Sequence, residues 1–205
     1  MPSASNVRPI TFRPAAPNDC AHLALLSDMA TRRMISFLWG LAADAGQSAF
    51  ELGRDVILND KSHFLHHSNW RVAECRGLLA GAVSGNLLPP AADAPAPAVD
   101  LVAGLSELKA IAEGTWYISA IALYPEFRGQ GLGAALVAEA EAMARAAGQS
   151  RVTLLLNSLN PRAEALYRKL GFVNWNKRPL PAFPGSEGPS DLILMVKDLG
   201  RGDFK

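Results

Sequence analysis

Cysteine and net charge are both scarce in this sequence. Cys20 and Cys75 stand far apart and show no metal-ligand spacing. So few thiols exclude a disulfide scaffold and fit a reducing, cytoplasmic setting. The net charge is only +1, which removes the bulk electrostatics that nucleic-acid binding rests on. No apolar run approaches the roughly 18–20 residues of a membrane helix. The N-terminus lacks the basic-then-apolar pattern of a signal peptide. No membrane and no nucleic acid are therefore expected as partners. His63, His66 and His67 form a cluster, but no Glu or Cys joins them at a useful spacing, and adjacent His66 and His67 diverge on any regular element. No metal is expected, and the cluster reads as a solvent-facing or substrate-edge loop.

What is present is apolar. At 49% apolar and 205 residues, the chain can build a substantial core in one domain. Its most informative stretch is Thr115 to Gly133, TWYISAIALYPEFRGQGLG. Thr115 to Tyr124 is rich in β-branched and aromatic residues, as a strand covered on both faces requires. Pro125 cannot donate to a ladder and ends it. Arg128-Gly129-Gln130-Gly131-Leu132-Gly133 follows, with Ala134 next. Alternate glycines allow a tight turn with exposed N–H groups, and a helix starting near Leu132 adds its free N-terminal donors and dipole. With Arg128 this makes a phosphate cradle. No Lys-Ser or Lys-Thr pair follows the last glycine, so it is not a P-loop. A dinucleotide loop needs an acidic residue about 20 positions on. This chain has no carboxylate between Glu141 and Glu164.

A second motif, Asn157 to Phe172, reads NSLNPRAEALYRKLGF. Together the two motifs resemble the Gcn5-related N-acetyltransferases, the GNAT family. Arg128 to Gly133 is similar to that family's coenzyme A pyrophosphate loop. Asn160, Ala163, Leu166, Tyr167, Gly171 and Phe172 match its later pattern. The resemblance is strong over about residues 70–175. It implies an α/β fold with a mixed, largely antiparallel sheet, a splayed parallel strand pair and flanking helices. It also implies acetyl transfer from acetyl-CoA directly to an amine acceptor, with pantetheine bonding strand backbone at Ile121, Ala122 and Leu123. Tyr167 would be the general acid toward the leaving thiolate. Asn160 has two readings, as a helix cap and as a coenzyme contact. No general base is evident, because residues 114–123 hold no carboxylate; Ser119, Glu113 and Glu126 stand nearby. A non-catalytic acyl-CoA-binding module is the alternative from another class.

The remaining chain reads as one domain over 9–199 behind a loose tail at 1–8. Ile10 to Arg13 is a first strand. Asn18-Asp19 caps a helix to about Thr31, with Leu23, Leu26 and Ala30 on one face. Arg32 to Leu58 forms further helices broken near Gly40 and Gly46. Within it Phe37 and Trp39 read as core residues, or with Arg54 as substrate contacts. Asn69 to Cys75 and Leu78 to Asn86 form a hairpin about Arg76-Gly77. The Pro/Ala-rich insert at 88–100 cannot join a sheet. With a short helix to Ala112, it stands where a lid over the acceptor cleft would be. The helix after the glycine loop carries Leu132, Leu136, Ala140, Met143 and Ala147 inward, and Gly148 ends it. Arg151 to Leu156 is a buried strand parallel to the one before. Phe172 to Trp175 is a short strand, Pro179 to Pro189 a loop, and Asp191 to Lys197 the last strand. Exposed sheet edges and Trp175 suit a homodimer.

Overall fold

Extended apolar segments assemble into one seven-stranded sheet, in the order β1-β2-β3-β4-β5-β7-β6. The strands are β1 (Ile10–Pro14), β2 (Trp70–Cys75), β3 (Leu78–Leu87), β4 (Trp116–Leu123), β5 (Arg151–Asn157), β6 (Val173–Leu180) and β7 (Ser190–Asp198). The helices are α1 (Cys20–Ala30), α2 (Met34–Ala42), α3 (Ala49–Asn59), α4 (Ala103–Ile111), α5 (Leu132–Ala146) and α6 (Pro161–Lys169). This computed structural model describes residues 10–90 and 100–200. The tail at 1–8 and most of the 88–100 insert lie outside the described residues. Every neighbouring strand pair is antiparallel except β4 and β5.

One sheet face is covered by α5 and α6, through Leu136, Val137, Ala140 and Tyr167 packed on Ile118, Leu154 and Met195. The other is covered by α1, α2, α3 and α4. Trp70, fully buried, anchors that second layer and donates its indole N–H to the Leu65 carbonyl at 2.9 Å. A capping box starts α3, where the Ser48 hydroxyl accepts from the Glu51 N–H and the Glu51 carboxylate accepts from the Ser48 N–H. Such a cap contributes about 1 kcal/mol.

Several local expectations need correction. Asp19 does not cap α1; its carboxylate accepts from the Ala16 N–H and pairs with Arg13 at 2.6 Å. A partly buried ion pair takes the carboxylate from the cap there. Gly40 lies inside α2, and the break falls at 43–48 around Gly46, whose φ is +88°. The inner stripe of α5 ends with Ala144, while Met143 is only partly buried and Ala147 is exposed. At 100° per residue Val137 and Ala144, seven residues apart, lie within about 20° of each other, and the buried stripe runs through them beside Leu136 and Ala140. Strand β6 runs on to Leu180 and includes Pro179. It is an edge strand, where a residue without an N–H is tolerated. His66 is buried, 5% exposed, rather than solvent-facing, and its Nδ1 lies 2.8 Å from the Ser68 hydroxyl. Trp39 is buried in the core of the α1–α3 layer and Phe37 packs beside Phe183, which favours the packing reading for both, while Arg54 is exposed and does not line the cavity described below.

Candidate active site

The site begins where the sheet comes apart. Strands β4 and β5 pair only over Trp116–Ile118 against Val152–Leu154. Beyond that, β4 stays with β3, and β5 stays with β7 along its whole length. A β-bulge marks the parting. Ser84 faces Ala120 and Gly85 faces Ile118, so Ser119 is the extra residue on β4. Bulges bend a strand and increase its twist. Gly85 is required here, because an added Cβ would sit 2.5 Å from the Trp116 indole nitrogen. Below the parting, the Thr115 and Thr153 hydroxyls lie 2.7 Å apart in the core and tie the two strands together.

The bulge also sets which backbone groups face the gap. The Tyr124 N–H donates to the Ala80 carbonyl at 2.9 Å. Alternation then directs the backbone of Ala122 to β3, and that of Ile121 and Leu123 to the open side. The Leu123 carbonyl is met there by Arg128 Nε at 3.1 Å. Ala122 thus has no backbone group toward the gap, which narrows the expected strand contacts to Ile121 and Leu123.

The glycine loop closes one end of the gap. Gly129 and Gly131 have φ of +75° and +80°, and Gly131 is the N-cap of α5. Among the described residues the N–H groups of Gly129, Gln130, Gly131, Leu132 and Gly133 have no acceptor; the first bonded one is Ala134, to the Gly131 carbonyl. A Cβ built on Gly131 meets nothing within 4 Å. The loop is therefore a concavity of free donors at a helix N-terminus, the arrangement that takes a phosphate. The Leu132 side chain is buried against Phe127 and Cys75, which fixes the first turn of α5. Arg128 is exposed with its Nη atoms free of protein partners among the described residues. Gln130 donates its side-chain amide to the Glu126 carbonyl. Arg162, on α6, comes to the same place: its Nη2 would lie 3.7 Å from a Cβ on Gly129.

A cavity of about 1090 Å³ runs from this loop through the parting to the other face of the sheet. Ile121, Leu123, Asn160 and Tyr167 line it. Asn160 Oδ1 accepts from the Ala163 N–H at 3.2 Å, so the cap is real. Its Nδ2 has no partner among the described residues. The two readings of Asn160 thus use different atoms. The Tyr167 ring is buried against Phe172, and its hydroxyl makes no protein hydrogen bond among the described residues. Burial pushes its pKa well above the ordinary phenol range. Ser119 donates to Asn86 Oδ1 at 2.5 Å, and Glu126 is exposed beside the glycine loop.

On the far side of the parting the cavity meets Asp28 of α1 and Lys109 of α4. Neither was singled out from the sequence. One Asp28 carboxylate oxygen is buried and unpartnered. Lys109 Nζ sits 4.6 Å from the centre of the Phe64 ring and 5.2 Å from that of Tyr117. Burial pushes its pKa from 10.5 down to about 8. No local pattern announces these two, because helices more than 70 residues apart in sequence bring them to one cavity.

A sheet parted after a β-bulge, with a glycine donor loop at one end of the gap, is the architecture of an acetyltransferase. The chain belongs to the GNAT acetyltransferase family, whose model matches residues 37–172. Solved structures agree in fold. A candidate acetyltransferase, yncA, from Salmonella typhimurium, solved with its cofactor acetyl-CoA, is 20% identical with a TM-score of 0.60, over 95% of this chain and 96% of that one. A candidate phosphinothricin N-acetyltransferase is 21% identical with a TM-score of 0.60, over 93% and 99%. The ribosomal-protein-S18-alanine N-acetyltransferase from Escherichia coli is 16% identical with a TM-score of 0.58, over 93% and 94%. No curated protein sequence matches the chain significantly.

Proposed function

We propose that this N-acetyltransferase holds acetyl-CoA in the parted sheet and passes the acetyl group directly to an amine. The observation that carries this is the continuous run of free N–H groups from Gly129 to Gly133, opening into the same cavity as Tyr167. The residues fit the group. Gly129, Gln130, Gly131, Leu132 and Gly133 offer five donors to a pyrophosphate, Ala134 completes the turn, and Arg128 and Arg162 add charge. Ile121 and Leu123 offer strand backbone to an extended amide arm, as one more strand would. Asn160 contributes its free Nδ2. Bound acetyl-CoA supplies an activated thioester.

The protein's part is positional and protonic. The gap aligns donor and acceptor, which is where most of the barrier is removed in a direct transfer. The Ile121 N–H polarises an oxygen at the reacting centre. Tyr167 keeps its proton at Oη through neutral pH, because burial disfavours its phenolate, and presents that proton to a departing thiolate. Two buried free cysteines support a reducing, cytoplasmic setting. A homodimer through the β6 edge, where Val173 and Trp175 are exposed, belongs to the same reading.

Calorimetric titration with acetyl-CoA, free CoA and NAD(P)H tests the binding claim. Saturable binding of both CoA species and none of the nicotinamide is expected. Absence of CoA binding sinks it. Thiol release with an amine then separates the enzyme from a non-catalytic acyl-CoA sensor.

A further inference from the structure

We infer that the acceptor is a zwitterion: a small amine that also carries a carboxylate and an apolar side group, as a free amino acid does. This rests on the reading above, in which acetyl-CoA occupies the α5 side of the gap. It concerns the other side.

Two charged groups of opposite sign line that side, and neither has an ionic partner among the described residues. The first is Lys109. Its ammonium lies over Phe64 and Tyr117, whose ring faces stabilise a cation without neutralising it. The other cations at this end are spoken for or outlying. Arg32 pairs with Glu187, and Arg33 is exposed. A cation withdrawn from water and left without a counter-ion is costly in the empty protein, and an anionic ligand removes the cost. The second group is Asp28. Its carboxylate has one oxygen shut off from solvent with no donor. A substrate ammonium supplies the missing donor. Asp28 lies on α1, which packs on β4 beside Ala120 and Ala122, next to the parting where transfer occurs. Lys109 lies on α4 and lines the same cavity. The same cavity takes apolar lining from Met34, Leu38, Leu105 and Phe183.

Asp28 therefore receives the amine and Lys109 the carboxylate. Asp28 orients the ammonium, which loses one proton to water. The nitrogen lone pair then attacks the acetyl carbonyl carbon. The C–N bond forms and the C–S bond breaks. The thiolate takes the Tyr167 proton, which the acylated nitrogen restores. The products are an N-acetylated acid, CoA thiol and one proton. In a protein N-terminus the α-carboxyl is part of a peptide bond and carries no charge, so it leaves Lys109 unanswered.

The test compares leucine with isoamylamine, its decarboxylated counterpart, by thiol release. The α-amine is the weaker base, so a preference of about tenfold for leucine follows from free-amine concentration alone. A kcat/KM ratio of about 100-fold or more is expected. Lys109→Met should erase the excess by raising KM for leucine, should not raise KM for isoamylamine, from which it removes only a like charge, and should spare acetyl-CoA binding. Lys109→Arg should restore part of the preference. A second readout needs no turnover. N-acetylleucine should bind the protein–CoA complex at least tenfold more tightly than N-acetylleucinamide, and Lys109→Met should remove that difference. Equal use of amine and amino acid, equal binding of acid and amide, or a Lys109→Met loss shared by both substrates overturns the inference. Failure of acetyl-CoA to bind is a different outcome and overturns the functional reading beneath it.

Discussion

Replacing Lys109 by Met should stabilise the ligand-free protein at pH 7, although it removes a side chain from the site. Met keeps an unbranched stem of similar length against Phe64 and Tyr117 and deletes the charge. In the unfolded chain the ammonium titrates near 10.5, and in the folded protein burial lowers this to about 8. Between those values the unfolded chain holds the extra proton, so stability rises with pH across that window. Below about 8 both states are protonated and the penalty is constant. At about 1.4 kcal/mol per pH unit the penalty has a ceiling of ~3 kcal/mol. Lys109 keeps some solvent contact, and screening reduces the expected gain to roughly 1–2 kcal/mol. Urea unfolding followed by tryptophan fluorescence reads it. Buried Tyr117, Tyr167 and Cys20 have folded pKa values pushed up and act in the opposite sense as pH rises. The quantity to follow is therefore the variant minus the wild type. It should favour the variant at pH 7 and fall by about half by pH 9.5. A variant less stable at pH 7, or a difference flat in pH, refutes the idea that Lys109 is an uncompensated buried cation.

Three further outcomes are expected. Tyr167→Phe should lower kcat by roughly 10–100-fold with acetyl-CoA affinity unchanged, since a general acid acts only on the reacting atoms; an unaltered kcat removes Tyr167 from the chemistry. Gly131→Glu should abolish acetyl-CoA binding in calorimetry while circular dichroism stays native, because the side chain enters the donor concavity at a φ of +80° and opposes phosphate. Gly53→Ala should cost about 1–3 kcal/mol in urea unfolding, since the new Cβ would stand 2.4 Å from the Trp39 ring; little or no loss means α3 yields more easily than its packing implies.

The parts legible in the sequence were those whose cause is local. Glycine spacing, a proline stop and an N-cap asparagine lie within a few residues of what they determine. That is why β4, the loop, α5 and α6 could be read together with their motif residues. The Arg76-Gly77 hairpin was legible for the same reason, both residues taking positive φ. What could not be read depends on neighbours from elsewhere in the chain. Pro179 is acceptable in β6 only because that strand lies at the edge. Gly40 stays helical because α2 packs as a unit through Met34 and Trp39. His66 is buried by the fold around it. Asp28 and Lys109 belong to no motif, and Arg162 is a position of the second motif that its pattern leaves unspecified. They enter the site only when α1, α4 and α6 are assembled around the gap.

The short parallel seam also divides the sheet's folding. Strands β1 to β4 form a meander closed by sequence neighbours on one side, and β5 to β7 a second set on the other. They share one crossover and the pairing of Trp116–Ile118 with Val152–Leu154. Outside that seam each set pairs only within itself, so each is expected to open as a cooperative unit in hydrogen exchange. A ligand lying along β4 would bridge the units and make them open as one. On the proposed reading the cleft would serve assembly as well as chemistry, and a bound donor would become the last strand the sheet acquires.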